Sequence, residues 1–169
     1  MSQNKNIVLV GFMGSGKTTV GKVLSHALGY DFIDTDHLVV QNEKIDIPSI
    51  FDLKGENYFR KAEMTVLEQG MAGQDCVVST GGGIVTTPEN TEVLRRGTVI
   101  YLEATPKQIY DHIKNDHTRP LLKEKDVYGT ICAMLERRQG LYKQVAHYSV
   151  NVDCKTPEEI CVLILEQIK

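Results

Sequence analysis

The stretch GFMGSGKT, residues 11–18, decides the fold. It follows the apolar run NIVLV (6–10) and opens a helix-period segment that runs from Lys17 to Leu28 and stops at Gly29. A glycine-rich turn between a strand and a helix is a phosphate cradle. Gly11, Gly14 and Gly16 let the backbone curl until its N–H groups face one anion. The helix N-terminus adds partial positive charge at the same place. Lys17 then reaches the β and γ phosphates, and the Thr18 hydroxyl is a ligand for Mg²⁺. The spacing predicts a nucleoside triphosphate site on Gly14, Ser15, Gly16, Lys17, Thr18 and Thr19.

Working outward, apolar runs alternate with helix-period segments. YDFID (30–34) reads as a second, short strand. A polar helical stretch follows from about 37 to 70, broken near Pro48 and Gly55. CVVST (76–80), TVIYLEA (98–104) and YSVNVD (148–153) read as three more strands. Pro88 marks a short helix that ends near Arg95, Arg96 and Gly97, Pro106 starts another, and Thr156 caps the last. Strand–helix alternation predicts an α/β fold, a five-stranded parallel sheet covered by helices on both faces. At 169 residues the chain is one domain. The least regular segment, NDHTRPLLKEKD (115–126), has the length and polarity of a lid.

Composition excludes several classes. A net charge of −3 gives no reason to expect a nucleic-acid partner. No apolar run approaches the roughly 20 residues of a membrane span. The N-terminus reads as a first strand and not as a signal peptide. Cys76, Cys132, Cys154 and Cys161 show no metal-ligand spacing and suit a reducing cytoplasm.

Nucleotide binding alone does not separate a switch, a motor and a metabolite kinase. A GTPase switch needs N-K-x-D for guanine, which is absent, and D-x-x-G after a strand. DLKG (52–55) sits in a helical stretch instead. A motor needs an apolar strand ending in acids, and CVVST ends in Ser79 and Thr80. The strand that ends in acids is FIDTD (32–36), which places Asp34 and Asp36 at the carboxyl end of the sheet, beside the phosphate loop. Asp34 suits metal-bound water. Asp36 has two readings: an acceptor of the proton from an acceptor hydroxyl, or a cap on the helix that follows.

The chain has 13 Lys and only six Arg. Arg95 and Arg96 suit a helix C-terminus. Arg60 lies in a helical stretch beside Phe59, Arg119 in the lid segment, and Arg137 and Arg138 on a long helix, one of them facing solvent. Arginine forks bind carboxylates and stabilise transferring phosphoryl groups. STGGG (79–83) offers a backbone surface that a small ligand can approach.

Taken together, GFMGSGKTTVGK, FIDTD, IFDLKGENYFRKAE, STGGG, RPLL and ERRQGLYKQVA resemble the shikimate kinase family in order and spacing, from Ile7 to the C-terminal helix. The resemblance implies a single P-loop kinase domain of the nucleoside monophosphate kinase type, with ATP and shikimate as substrates and Mg²⁺ as cofactor. It implies phosphoryl transfer to the 3-hydroxyl of shikimate, in chorismate and aromatic amino acid biosynthesis, by a cytoplasmic monomer. Asp36 becomes the contact to the ring hydroxyl. Arg60 and Arg138 become the carboxylate forks, Gly81, Gly82 and Gly83 the backbone floor, and Phe51 and Phe59 the pocket wall. Arg119 becomes the lid cation, and Asp34 and Ser79 the outer partners of Mg²⁺. The family often carries an adenine-stacking Arg shortly before the lid, where this chain has YDHIKNDH (110–117). Adenine contact then falls to His112 or to Lys155 and Pro157 in CKTP (154–157). The enzymatic alternative is a sugar-acid kinase such as a gluconate kinase. The other is a nucleotide-dependent switch.

Overall fold

Five parallel strands form one sheet in the order β2-β3-β1-β4-β5. The computed structural model describes residues 5–116 and 123–169. The strands are β1 (Ile7–Val10), β2 (Asp31–Asp34), β3 (Cys76–Ser79), β4 (Thr98–Glu103) and β5 (Tyr148–Asn151). The helices are α1 (Lys17–Leu28), α2 (Thr35–Glu43), α3 (Ile47–Lys54), α4 (Glu56–Met71), α5 (Asn90–Leu94), α6 (Pro106–Ile113), α7 (Val127–Val145) and α8 (Pro157–Gln167).

Burial follows strand position. β1 and β3 are buried along their whole length, as central strands covered on two faces must be. β2 and β5 lie at the edges and are largely exposed or half-buried. The main core joins the central strands to one side of α1, α7 and α8. Asn6, fully buried, fastens the lower edge of the sheet: its Nδ2 donates to Gly73 O, and its Oδ1 accepts from Cys76 N.

The polar stretch resolves into α2, α3 and α4. Asp46 caps α3, and Gly55 at φ 83° separates α3 from α4. These three helices carry a second apolar cluster of Val39, Ile50, Phe59 and Val66, distinct from the main core. Thr156 caps α8 in a reciprocal capping box with Glu159, as its sequence suggests.

One expectation is corrected. The helix after FIDTD begins at Thr35, and its N-cap is Asp34, whose side chain accepts from His37 N at 3.2 Å. Asp36 therefore lies inside the first turn and is not the cap. The strand ends at Asp34, paired with Ser79, as its sequence suggests, but α2 follows at once from Thr35 and not from about 37, so the cap falls on the last strand residue.

Candidate active site

The phosphate loop leaves the carboxyl end of β1, between β3 and β4, where strand order reverses. Gly14 and Gly16 have φ of 78° and 90°, which side-chain-bearing residues rarely adopt. A Cβ on Gly14 would also sit 2.7 Å from Ile113 Cγ2 of α6. No side chain caps α1, so its first amides remain open to an anion. The Lys17 ammonium curls back onto the loop, donating to Gly11 O at 2.7 Å and Phe12 O at 3.0 Å. Ser15 Oγ is buried in the loop. Thr19 is exposed one residue beyond Thr18.

Asp34 has two tasks. One carboxylate oxygen caps α2, and the other accepts from Thr18 Oγ1 at 3.0 Å. The strand–helix junction thus places a hydroxyl and a carboxylate together at the mouth of the loop. Hard oxygen donors of this kind fit Mg²⁺, which takes one or two protein ligands and completes its shell with phosphates and water. Among the described residues no cluster of three His, Cys, Asp or Glu forms a metal cage. Ser79, 2% exposed, ends β3 beside Asp34.

Next to the loop lies a second cluster of charge. The turn after β3 brings Gly81, Gly82 and Gly83 against α2, α4 and the phosphate loop. The three glycines are needed for space, since none of them has positive φ. A Cβ on Gly81 would sit 2.7 Å from Asp36 Oδ1 and 2.8 Å from Glu63 Oε2. One on Gly83 would sit 2.5 Å from Arg60 Nη2, and one on Gly82 would sit 3.0 Å from Met13 N. The N–H of Gly81 is already taken by Thr35 Oγ1 at 3.1 Å, which narrows the expectation that the glycines meet a ligand through their N–H groups.

Arg60 on α4 donates to Glu63 Oε1 at 2.9 Å, three residues along the same helix. Its guanidinium also stands 5.3 Å from the Phe59 ring centroid. Glu63 is 1% exposed, and burial pushes its carboxyl above the ordinary range. Arg60 and Arg138 oppose that rise, and Asp36 adds to it. The two arginines and two carboxylates therefore share one electrostatic neighbourhood. On α7, Arg137 is exposed. Arg138 is half-buried, 5.9 Å from the Phe12 ring centroid. Phe51 and Phe59 form a tilted pair at 4.8 Å.

Among the described residues, three buried side-chain atoms have no hydrogen-bond partner: Ser15 Oγ, Arg60 Nε and Glu63 Oε2. Glu63 and Arg60 face the glycine turn, and Ser15 Oγ lies inside the phosphate loop. Each such group costs on the order of 1–3 kcal/mol unless a polar partner is supplied.

The adenine side is partly resolved. His112 Nδ1 lies 2.7 Å from Gly14 O and Nε2 lies 3.0 Å from Gln108 Nε2. A carbonyl can only accept, so Nδ1 carries the proton and Nε2 accepts from the Gln108 amide. His112 thus ties α6 to the phosphate loop. Lys155 is exposed and Pro157 opens α8. Their loop joins the start of α6 through Asp153 Oδ1, which accepts from Thr105 N at 3.1 Å. Arg119 and the middle half of the predicted lid (117–122 of 115–126) lie outside the described residues.

Two contributors escaped sequence reasoning. Glu63 stands in the quoted FRKAE segment, and its spacing from Arg60 is a helical pairing signal. Tyr142 of α7 donates from its hydroxyl to Gly82 O, a contact across 60 positions that no local pattern carries.

A phosphate loop at a sheet switch point, next to an arginine-rich pocket with a carboxylate, defines a P-loop phosphotransferase for a small anionic acceptor. The shikimate kinase family model matches residues 13–169. A shikimate kinase from Caldicellulosiruptor saccharolyticus is 43% identical over 155 residues, covering 91% of this chain and 90% of its own. One from Actinobacillus pleuropneumoniae is 38% identical over 169 residues, covering 99% and 98%. The solved shikimate kinase from Acinetobacter baumannii in complex with shikimate superposes with a TM-score of 0.94 at 37% identity, covering 98% of this chain and 93% of its own. A gluconokinase from Sinorhizobium meliloti reaches a TM-score of 0.60 at 19% identity, covering 99% and 97%, a likeness of fold alone. This chain belongs to the shikimate kinase family.

Proposed function

We infer that this chain transfers the γ-phosphoryl group of ATP to the 3-hydroxyl of shikimate, giving shikimate 3-phosphate for aromatic amino acid biosynthesis. The observation that carries the residue-level reading is the adjacency of two sites. A phosphate loop that opens an uncapped helix lies beside a cluster where Arg60, Asp36 and Arg138 all act on the buried Glu63 carboxyl.

The residue roles follow from that adjacency. Gly14, Ser15, Gly16, Lys17, Thr18 and Thr19 hold the triphosphate, with Lys17 on its β and γ oxygens. Arg60 and Arg138 clamp the acceptor carboxylate with charge-assisted hydrogen bonds. Glu63 orients Arg60. Phe51 and Phe59 wall the ring, and 81–83 form the floor. Asp36 orients the acceptor hydroxyl and takes its proton. The hydroxyl oxygen bonds to the γ phosphorus as the bond to the β,γ-bridging oxygen breaks, and the proton passes from Asp36 to water. Thr18 and Asp34 would hold Mg²⁺, with Ser79 behind them, and the ion would neutralise charge building on the phosphate oxygens. Arg119, in the expected lid at about 115–126, is the cation proposed for the phosphates and lies outside the described residues, while 35–70 binds the acceptor. Adenine is bordered by Lys155 and Pro157 or, in the alternative, by His112.

We further propose a cytoplasmic monomer with no nucleic-acid or membrane partner. Among the described residues no helix is long and apolar enough to cross a membrane. A coupled ADP-release assay tests the central reading. Turnover with shikimate and none with gluconate is expected, and the reverse pattern overturns it. Nucleotide binding with no turnover on either acid would favour a switch.

A further inference from the structure

We propose that Tyr142 is a positioning residue: its hydroxyl holds the glycine turn at 81–83 in register with the Arg138 guanidinium, and so sets the width of the acceptor pocket. The inference rests on the acceptor-site reading of Arg138 and Gly82 given above.

Tyr142 lies four residues after Arg138 on α7, so both side chains leave the same face of the helix. Its ring is fully buried and stacks on Tyr101 of β4, with centroids 5.0 Å apart and planes at 22°. Phenylalanine would provide the same packing. The hydroxyl is therefore a separate feature, and a buried hydroxyl is costly unless it is bonded. Here it donates to Gly82 O, the middle carbonyl of the turn.

The surroundings of the hydroxyl are those of the acceptor pocket. Burial pushes its pKa up to about 12. Arg138, through charge and a side-chain hydrogen bond, and Arg60 oppose that rise, while Glu63 adds to it. The phenol thus stays neutral across the working range and remains a donor.

The other side of the turn is also constrained. Gly82 packs so close to the phosphate loop that a Cβ would sit 3.0 Å from Met13 N. Tyr142 closes the remaining side from α7. The turn is then held between the loop that carries the donor phosphate and the helix that carries the carboxylate fork. An acceptor bridging that gap needs the gap at a fixed width, which is the condition for positioning catalysis.

The test is Tyr142→Phe, which keeps the ring stack and removes only the hydroxyl. The first readout is amide hydrogen exchange in the protein without substrates. Ile84 N and Thr86 N, which donate to Gly81 O and Gly83 O, should exchange about tenfold faster, with α8 amides unchanged. The second is kinetic. KM for shikimate should rise about three- to tenfold, with KM for ATP unchanged and kcat within about twofold. Unchanged exchange overturns the proposal. So does faster exchange, or a lower Tm, with an unchanged KM for shikimate, because the hydroxyl would then serve the fold alone. Absence of shikimate turnover in the wild-type protein would instead sink the acceptor reading. The exchange arm would then decide whether Tyr142 holds the turn.

Discussion

Arg60 and Glu63 form a 2.9 Å ion pair at the floor of the cleft, yet each keeps a buried polar atom without a partner. Arg60 Nη2 also stands 3.5 Å from Glu56 Oε1, so Arg60 Nε and Glu63 Oε2 are what these ion pairs leave over. The burial of Glu63 and its hold on Arg60 have consequences for pH and for binding.

Glu63→Gln should keep the fold and raise KM for shikimate by about tenfold, because a neutral amide holds the Arg60 fork less firmly. The pH dependence has a definite sign. Burial raises the folded carboxyl above its ordinary 4.5, so the folded state binds more protons than the unfolded state between those values. Wild-type stability therefore falls relative to Glu63→Gln as pH rises from 4.5 through the folded pKa, and the difference levels off above it. Thermal unfolding of both proteins across that range measures it. A difference independent of pH would mean that Glu63 is not strained by burial.

Asp36→Asn separates chemistry from architecture. Asp34 caps α2 while Asp36 lies in its first turn. The loss of one first-turn charge costs about 0.3–1 kcal/mol of stability. Turnover should fall by roughly 10²-fold or more, with KM for ATP nearly unchanged. Near-normal turnover would remove Asp36 from the reaction.

Asp34→Asn makes the complementary separation. Asparagine caps a helix about as well as aspartate, so stability should hold within about 0.5 kcal/mol. The negative charge beside Thr18 is lost, however, so the Mg²⁺ concentration for half-maximal rate should rise about tenfold or more. A magnesium titration of initial rates checks this, and an unmoved midpoint would place the metal elsewhere.

Arg137 and Arg138 provide a paired control. Arg138 is half-buried near Phe12, and Arg137 is exposed. Arg138→Ala should raise KM for shikimate by about ten- to a hundredfold, the loss of one charge-assisted fork. Arg137→Ala should change it by less than about twofold. Equal effects in steady-state kinetics would reject the assignment of the fork to Arg138.

Much of this molecule was legible before its structure. The phosphate loop, the strand–helix alternation and the caps at Thr156 and Gly29 are local features, set by residues within a few positions of one another. Local patterns also limited what could be read. FIDTD left Asp36 between two roles, because the end of β2 is set by pairing with β3, more than 40 residues away. Glu63 was missed although its spacing from Arg60 is a helical pairing signal, and its burial carries no local signal at all, since that depends on the glycine turn packed above α4.

The sequence by itself determined the phosphate-loop pattern at the end of β1 and the charged residue types from which a small acid acceptor nearby was read. Glycine spacing, helix polarity and residue charge are properties of short stretches. Only the tertiary structure decided which acid caps the helix, which of two adjacent arginines is half-buried, and which three buried polar atoms among the described residues are left without partners. Those outcomes depend on α2, α4, α7 and the turn after β3 meeting at one place. Such a meeting is fixed by packing and burial across the whole chain.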